Sequence, residues 1–308
     1  MPAAFSKHLR RCRALFTLLA CASALFATGA HARTLSIGVT LHPYYSFVAN
    51  IVGDRAKVVP MIDSTFNPHA YEPRAEDIKR IGQLDVVVLN DIGHADFARK
   101  MIAASPRPKM PTIAANAEVQ LLSGMALGAP QGRAVNPHTF LSITASMLQV
   151  STIARELGKL DPDNASFYQT NARNYNRKLR QLRADALLKL KQAPSSNYRV
   201  ATEHGAYDYL LREFGLEVSA VIEPSHGTEP SPSQMKKVLD LIRAKNIKIL
   251  FSEQDRLSGY VKTLVREADM RVYPLTHISH GAYSADAFEK AMAHNLDAVV
   301  RSILESKP

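Results

Sequence analysis

From residue 35 onward, short β-branched runs alternate with stretches whose apolar positions recur every three or four residues. "LSIGVT" (35–40), "AKVVPMI" (56–62), "DVVVLN" (85–90) and "PTIAA" (111–115) predict strands, with helices over 44–53, 75–82 and 94–103 between them. The alternation resumes after residue 195, with strands at 198–203, 216–222, 247–253 and 271–275 and helices near 206–214, 231–245, 258–268 and 284–304. Strands and helices that take turns in this way build parallel sheets covered by helices, so the fold class is α/β.

One segment breaks the rhythm. Asp161 suits an N-cap and Pro162 the first helical position, and Tyr168, Ala172, Tyr175, Leu179, Leu182, Ala186 and Leu190 follow at steps of four and three. The stripe predicts one helix over 162–191, about 45 Å long at ~1.5 Å per residue. A coiled-coil seam is the rival reading, but only about three heptads are present and flanking charge pairs are not clear. The expected architecture is two lobes, each a parallel sheet flanked by helices, joined by one long backbone helix. Its expected divisions are an N-terminal α/β lobe at 33–160, the connecting helix at 161–192 and a C-terminal α/β lobe at 193–308.

The N-terminus reads as an address. Lys7, Arg10, Arg11 and Arg13 lead into the uncharged apolar run 14–29, and Ala30 and Ala32 supply small residues two apart. That pattern predicts a secretory signal peptide over 1–32, cut after Ala32, and so a periplasmic protein. The apolar run is shorter than the ~20 residues a membrane-spanning helix needs. "LLAC" (18–21) offers a second processing site that would leave a lipidated Cys21, and it ranks behind because the apolar run continues past it.

Cleavage would remove both cysteines, Cys12 and Cys21, leaving no disulfide and no thiolate metal site. It would also remove four of the 38 basic residues and no acidic one, so 34 against 28 leaves +6 in place of +10. A modest excess without a basic run or interleaved aromatics argues against nucleic acid as a partner, and a monomer is expected.

Any metal must then be held by histidine and carboxylate. "FNPHAYEP" (66–73) and "VNPHTF" (135–140) each place a histidine after Asn-Pro, where proline fixes its own φ and pushes the preceding asparagine out of helical geometry. His69 follows the strand 56–62, His138 precedes a helix that starts near Thr139, His204 follows the strand 198–203, and His277 follows the strand 271–275. Ligands of parallel α/β sheets bind beyond the carboxyl ends of strands, and these four come two from each half. Any one alone is a turn or surface histidine; the repeated placement predicts a shared site. Imidazoles without thiolate suit zinc first, with manganese or iron more comfortable where carboxylates join. His42, His94, His226, His280 and His294 are expected to be structural or exposed.

With these residues in place, the chain resembles the metal-binding proteins of zinc and manganese ABC importers, the cluster A-I periplasmic binding proteins. "NPHAYEPRAEDIKRIGQLDVVVLND", "NPHTFLSITASMLQVSTIARELGKLDPDNASFYQTNARNY", "TEHGAYDYLLREFGL", "EPSPSQMKKVLDLIRAKNIKILFSEQ" and "MAHNLDAVVRSIL" carry the likeness, co-linear over about residues 35–305. The resemblance implies a binding protein, not an enzyme, that captures Zn2+, or less readily Mn2+, between two lobes and delivers it to an inner-membrane ABC permease. It implies His69, His138 and His204 as ligands, and histidine at the third position favours zinc. The family's fourth ligand, an aspartate, is replaced within "PLTHISHG" by Thr276 or His277; His277 is the side chain that coordinates, with water or a carboxylate from elsewhere as alternatives. Asn67, Asn136, Glu72 and Glu203 are candidates to orient the ligands. Residues 116–134 hold no histidine, so the His-rich loop of some zinc importers is absent. The rival is a secreted zinc hydrolase with three histidines on the metal and Glu203 as general base, against which stands the missing His-Glu-x-x-His motif. Nothing in the sequence speaks for a surface adhesin over transport.

Overall fold

Each set of strands closes into its own sheet. The computed structural model describes residues 34–63, 71–93, 96–124, 135–191, 193, 198–224, 227–253 and 258–306. In the first half, β1 (Leu35–Val39), β2 (Ala56–Pro60), β3 (Val86–Leu89) and β4 (Thr112–Ala114) lie in the order β2-β1-β3-β4. In the second, β5 (Tyr198–Thr202), β6 (Leu216–Val221), β7 (Ile249–Ser252) and β8 (Arg271–Pro274) lie in the order β6-β5-β7-β8. Every pairing is parallel. The two halves therefore share one topology, and each reverses its winding beside its first strand, which opens a crevice at the carboxyl ends of β1 and β3 and of β5 and β7.

The strands are apolar throughout because both faces are covered. Val86 and Val88 of β3 point into a central core while Val87 and Leu89 point into an outer one, as the two-residue repeat of a strand requires. In β7, Ile249 and Phe251 face the same central core and Leu250 a separate outer core. Both sheets thus share the inner layer, and Leu35–Pro308 forms one compact unit.

That inner layer is organised by the helices α1 (His42–Val52), α4 (Ile143–Leu160), α5 (Ala165–Lys189) and α9 (Ala287–Glu305); α2 (Ala75–Ile81), α3 (Asp96–Ala104), α6 (Asp208–Arg212), α7 (Pro232–Ala244) and α8 (Gly259–Ala268) complete the set. The long helix α5 has 25 residues and starts three positions later than the sequence predicts, because Pro162–Asn164 forms a separate 3-10 turn. Asp161 does not cap the helix backbone: its Oδ2 accepts instead from Asn164 Nδ2 at 2.9 Å and Tyr168 OH at 2.6 Å. Tyr168, Ala172, Tyr175, Leu179 and Ala186 are buried against α1, α4 and α9, so the stripe is used within the chain and offers no seam to a second copy. Among the described residues no helix is long and apolar enough to cross a membrane. The signal peptide expected at 1–32 lies outside the described residues.

Candidate metal centre

His138 is aimed by a buried polar net. Asn90, at the carboxyl end of β3, donates from Nδ2 to the carbonyls of Gly93 and Pro137, both at 3.0 Å, which fixes the proline of the Asn-Pro-His turn. Gly93 has φ +122, and a Cβ there would sit 2.9 Å from Pro137 Cβ, so the turn closes only over glycine. Behind it, Asn116 donates to Asn90 O and Oδ1 and accepts from Thr139 Oγ1 and Gln149 Nε2, all between 2.7 and 2.8 Å. Thr139–Leu141 is a 3-10 turn, and Ser142 Oγ then caps α4 by accepting from Ala145 N at 3.0 Å.

His204 follows β5 above a cluster of carboxylates. Glu223 Oε2 lies 4.0 Å from His204 Nδ1. Glu203 is turned away from the centre: Oε2 accepts from Ser252 Oγ at 2.7 Å and Glu253 N at 3.2 Å, and Oε1 from Tyr260 OH at 3.0 Å and Ser258 Oγ at 3.2 Å. Tyr260 OH, with a single proton to share, also lies 2.7 Å from Glu223 Oε1. A carboxylate with four donors is engaged as a structural acceptor, which removes the general base on which the hydrolase reading depends.

Burial, with the nearby Glu223 and Glu203 carboxylates, pushes Glu253 up to about 8 from an ordinary value of 4.5. A carboxyl raised in the folded state stays protonated where the unfolded chain has already released its proton, so this group lowers stability as pH rises from about 4.5 to 8. Glu253→Gln is expected to flatten that decline by on the order of 1–3 kcal/mol between pH 5 and 8.5. Urea midpoints of metal-free wild type and variant across this range check it, and parallel pH profiles would count against it.

His277 belongs to one sheet and is strapped to the other. It follows β8, where Thr276 N–H donates to Asn295 Oδ1 at 2.7 Å and Thr276 Oγ1 accepts from Ile278 N at 3.2 Å. The chain then crosses to α1. His42 Nε2 donates to Gly281 O at 2.9 Å, Ser46 Oγ to Ser284 O at 2.8 Å, and Asn50 Nδ2 to Ala285 O at 2.7 Å. Tyr283 stacks on the His42 ring at 4.0 Å and donates to Ile62 O at 2.9 Å. Burial lowers the His42 pKa, in keeping with a neutral ring in a latch.

The structure brings three of the four candidate ligands together. The His138 ring centroid lies 5.1 Å from that of His204 and 4.8 Å from that of His277, and the latter two are 5.8 Å apart. One ligand atom from each lies within 4.8 Å of the others, and all three residues are buried. His69, with Asn67, lies outside the described residues, as do His94 and His226. Glu72, His280 and His294 are exposed. Sequence reading missed Asn90, Gly93, Asp208 and Glu223, which shape the centre without standing in a motif.

Two parallel α/β sheets sharing one core, with three buried imidazoles from both halves gathered together, are the arrangement of a substrate-binding protein for a metal ion. The chain matches the family model described as zinc-uptake complex component A, periplasmic (ZnuA), over residues 37–302, and it belongs to that family. Its fold is also that of FpvC from Pseudomonas aeruginosa, a substrate-binding protein solved with Mn2+ (64% identity, 89% of this chain and 100% of that chain, TM-score 0.84) and with Ni2+ (62%, 90% and 99%, 0.83). The metal ABC transporter substrate-binding lipoprotein FimA of Streptococcus parasanguinis is 26% identical over 297 residues, 94% of this chain and 95% of its own. The high-affinity zinc uptake protein ZnuA of Bacillus subtilis is 26% identical over 284 residues, 88% of each chain. Family membership makes the chain the metal-binding component of an ABC importer, with a permease as partner, and not an enzyme.

Proposed function

We propose that the protein captures Zn2+ ahead of other divalent metals, using His138, His204 and His277 together with His69, and hands it to its permease in the periplasm after export directed by residues 1–32. The observation that carries this reading is the buried cluster of three imidazoles from both halves of the chain. Among the described residues the cluster contains no carboxylate, and nitrogen ligands favour the later first-row metals, zinc and nickel, over manganese. The divisions at 33–160, 161–192 and 193–308 are part of the same proposal, the long helix limiting how far the halves separate.

Elemental analysis of protein purified from a periplasmic fraction without chelator or tag tests it, with about one zinc per chain expected. Absence of any bound transition metal would sink the reading, and a stoichiometric metal other than zinc would sink its zinc clause. The pH dependence is a separate check. Each ligating imidazole must be neutral, so below the reference value near ~6.5 every ligand adds up to a decade of lost affinity per pH unit. Zinc affinity at pH 5 is expected to be at least ~100-fold below that at pH 7.5. Equal affinities from isothermal titration at the two pH values would rule out histidine ligation.

A further inference from the structure

We infer that Asn136 is a positioning residue that sets the proton on the His138 ring and holds His138 in register with His204, a role that rests on the proposed metal site. Asn136 is fully buried, and its amide uses all of its hydrogen-bonding capacity. Oδ1 accepts from the His138 backbone N–H at 3.0 Å and faces His138 Nδ1 at 2.8 Å. Nδ2 donates to Gly205 O at 3.2 Å and to Asp208 Oδ2 at 3.1 Å. The orientation of the amide follows from its partners. A backbone N–H only donates, and a carbonyl and a carboxylate accept, so turning the amide over would set donor against donor on one side and acceptor against acceptor on the other.

The ring proton follows from that orientation. An oxygen with no hydrogen can face Nδ1 only if Nδ1 carries one, which makes Nε2 the nitrogen with the lone pair and the atom that ligates. The other end of the same amide reaches Gly205, the residue after His204, so a single side chain bridges the two ligand-bearing segments. Its backbone is fixed independently: Asn136 N donates to Leu122 O at 2.8 Å, and Tyr209 OH donates to Asn136 O at 3.0 Å. The Asn-Pro-His turn therefore supplies a stiff arm through proline and a ring with a defined proton through asparagine.

The two jobs separate by substitution. Asn136→Asp keeps an acceptor for Nδ1–H but gives up both donors to the second half and faces the Asp208 carboxylate. Asn136→Ala gives up everything. Nitrogen-15 spectra of metal-free protein labelled at histidine, with zinc titrations of the same samples, read both jobs. The expected result is a His138 Nδ1–H tautomer in wild type and in Asn136→Asp, with Nε2–H appearing in Asn136→Ala. Zinc affinity is expected to fall 10–100-fold in both Asn136 variants and to stay within about threefold in His294→Ala, a change at an exposed position. A wild-type His138 found as Nε2–H overturns the inference without need of any variant, as does an Asn136→Ala protein that binds zinc like wild type. Wild-type protein that binds no zinc overturns the transport reading instead, and the tautomer in its spectrum then decides whether Asn136 sets the ring.

Discussion

His138→Ala is expected to lower zinc affinity by about a thousandfold while leaving the fold intact. Zinc sites built by folding peptides release about 10–16 kcal/mol over four ligands, so one ligand is worth roughly 2.5–4 kcal/mol, which corresponds to about two to three decades. His138 suits this test because its ring lies within 5.1 Å, centroid to centroid, of both other imidazoles, so its loss opens the middle of the cluster. His204→Ala and His277→Ala should show losses of the same order, and His294→Ala, on the exposed side of α9, none. Competition with a chromophoric zinc chelator, run on all four variants, measures this. A fall of less than tenfold for His138→Ala would remove it from the ligand set. A small effect confined to His277→Ala would return the fourth position to water or to a carboxylate from elsewhere.

The two half-folds were legible because strand and helix periodicities alternate plainly, and because a helix of 25 residues buries its stripe on one side. Its beginning was misread, since Asp161 has the right chemistry for a cap but spends its carboxylate on Asn164 and Tyr168. The positions of His204 and His277 were read from strand ends, where parallel sheets gather side chains, and that of His138 from the second Asn-Pro-His turn ahead of a helix. What holds them there was not legible. Asn90 reads as the last residue of a strand, Gly93 as an ordinary turn glycine and Asp208 as a helical acid, and their partners lie 47, 44 and 72 residues away at Pro137, Pro137 and Asn136. Contacts at such separations leave no local pattern, so a motif search finds the ligands and passes over the groups that aim them.

The strap also qualifies the picture of two halves meeting over a metal. His277 leaves the second sheet, yet the residues after it are bonded to α1 of the first through His42, Ser46 and Asn50. Separation of the halves would have to break these bonds as well as metal ligation, and the shared core behind them is continuous. Release by displacement of a short segment such as the strap leaves that core in place. Permease docking would then act on a loop and leave the position of a lobe unchanged.

The second large effect is expected far from the rings, at Asn116. Asn116→Ala should destabilise the metal-free protein by about 3–5 kcal/mol, a large share of the roughly 5–15 kcal/mol available to a folded domain. Asn116 is almost fully buried, and its loss strips a partner from Asn90 O, Asn90 Oδ1, Thr139 Oγ1 and Gln149 Nε2 together. Asn90 Oδ1 keeps Tyr44 OH and Gln149 Nε2 keeps Thr139 Oγ1, but the Thr139 hydroxyl and Asn90 O lose a buried partner that alanine cannot replace. Asn116→Asp should not recover the loss, because its second oxygen would face Asn90 O and Oδ1 and bury a carboxylate there. Urea midpoints at an unchanged m-value measure the loss, and a deficit under 1 kcal/mol for Asn116→Ala would show that the net is not what stabilises this half. The same variant should bind zinc more weakly, since Asn90 loses the partners that set its grip on Pro137 and with it the aim of His138. Saturating zinc should then restore stability in proportion to the logarithm of its excess over the dissociation constant, because the ion binds only the folded arm. Stability and metal capture are therefore expected to fall and recover together at a residue that never touches the ion.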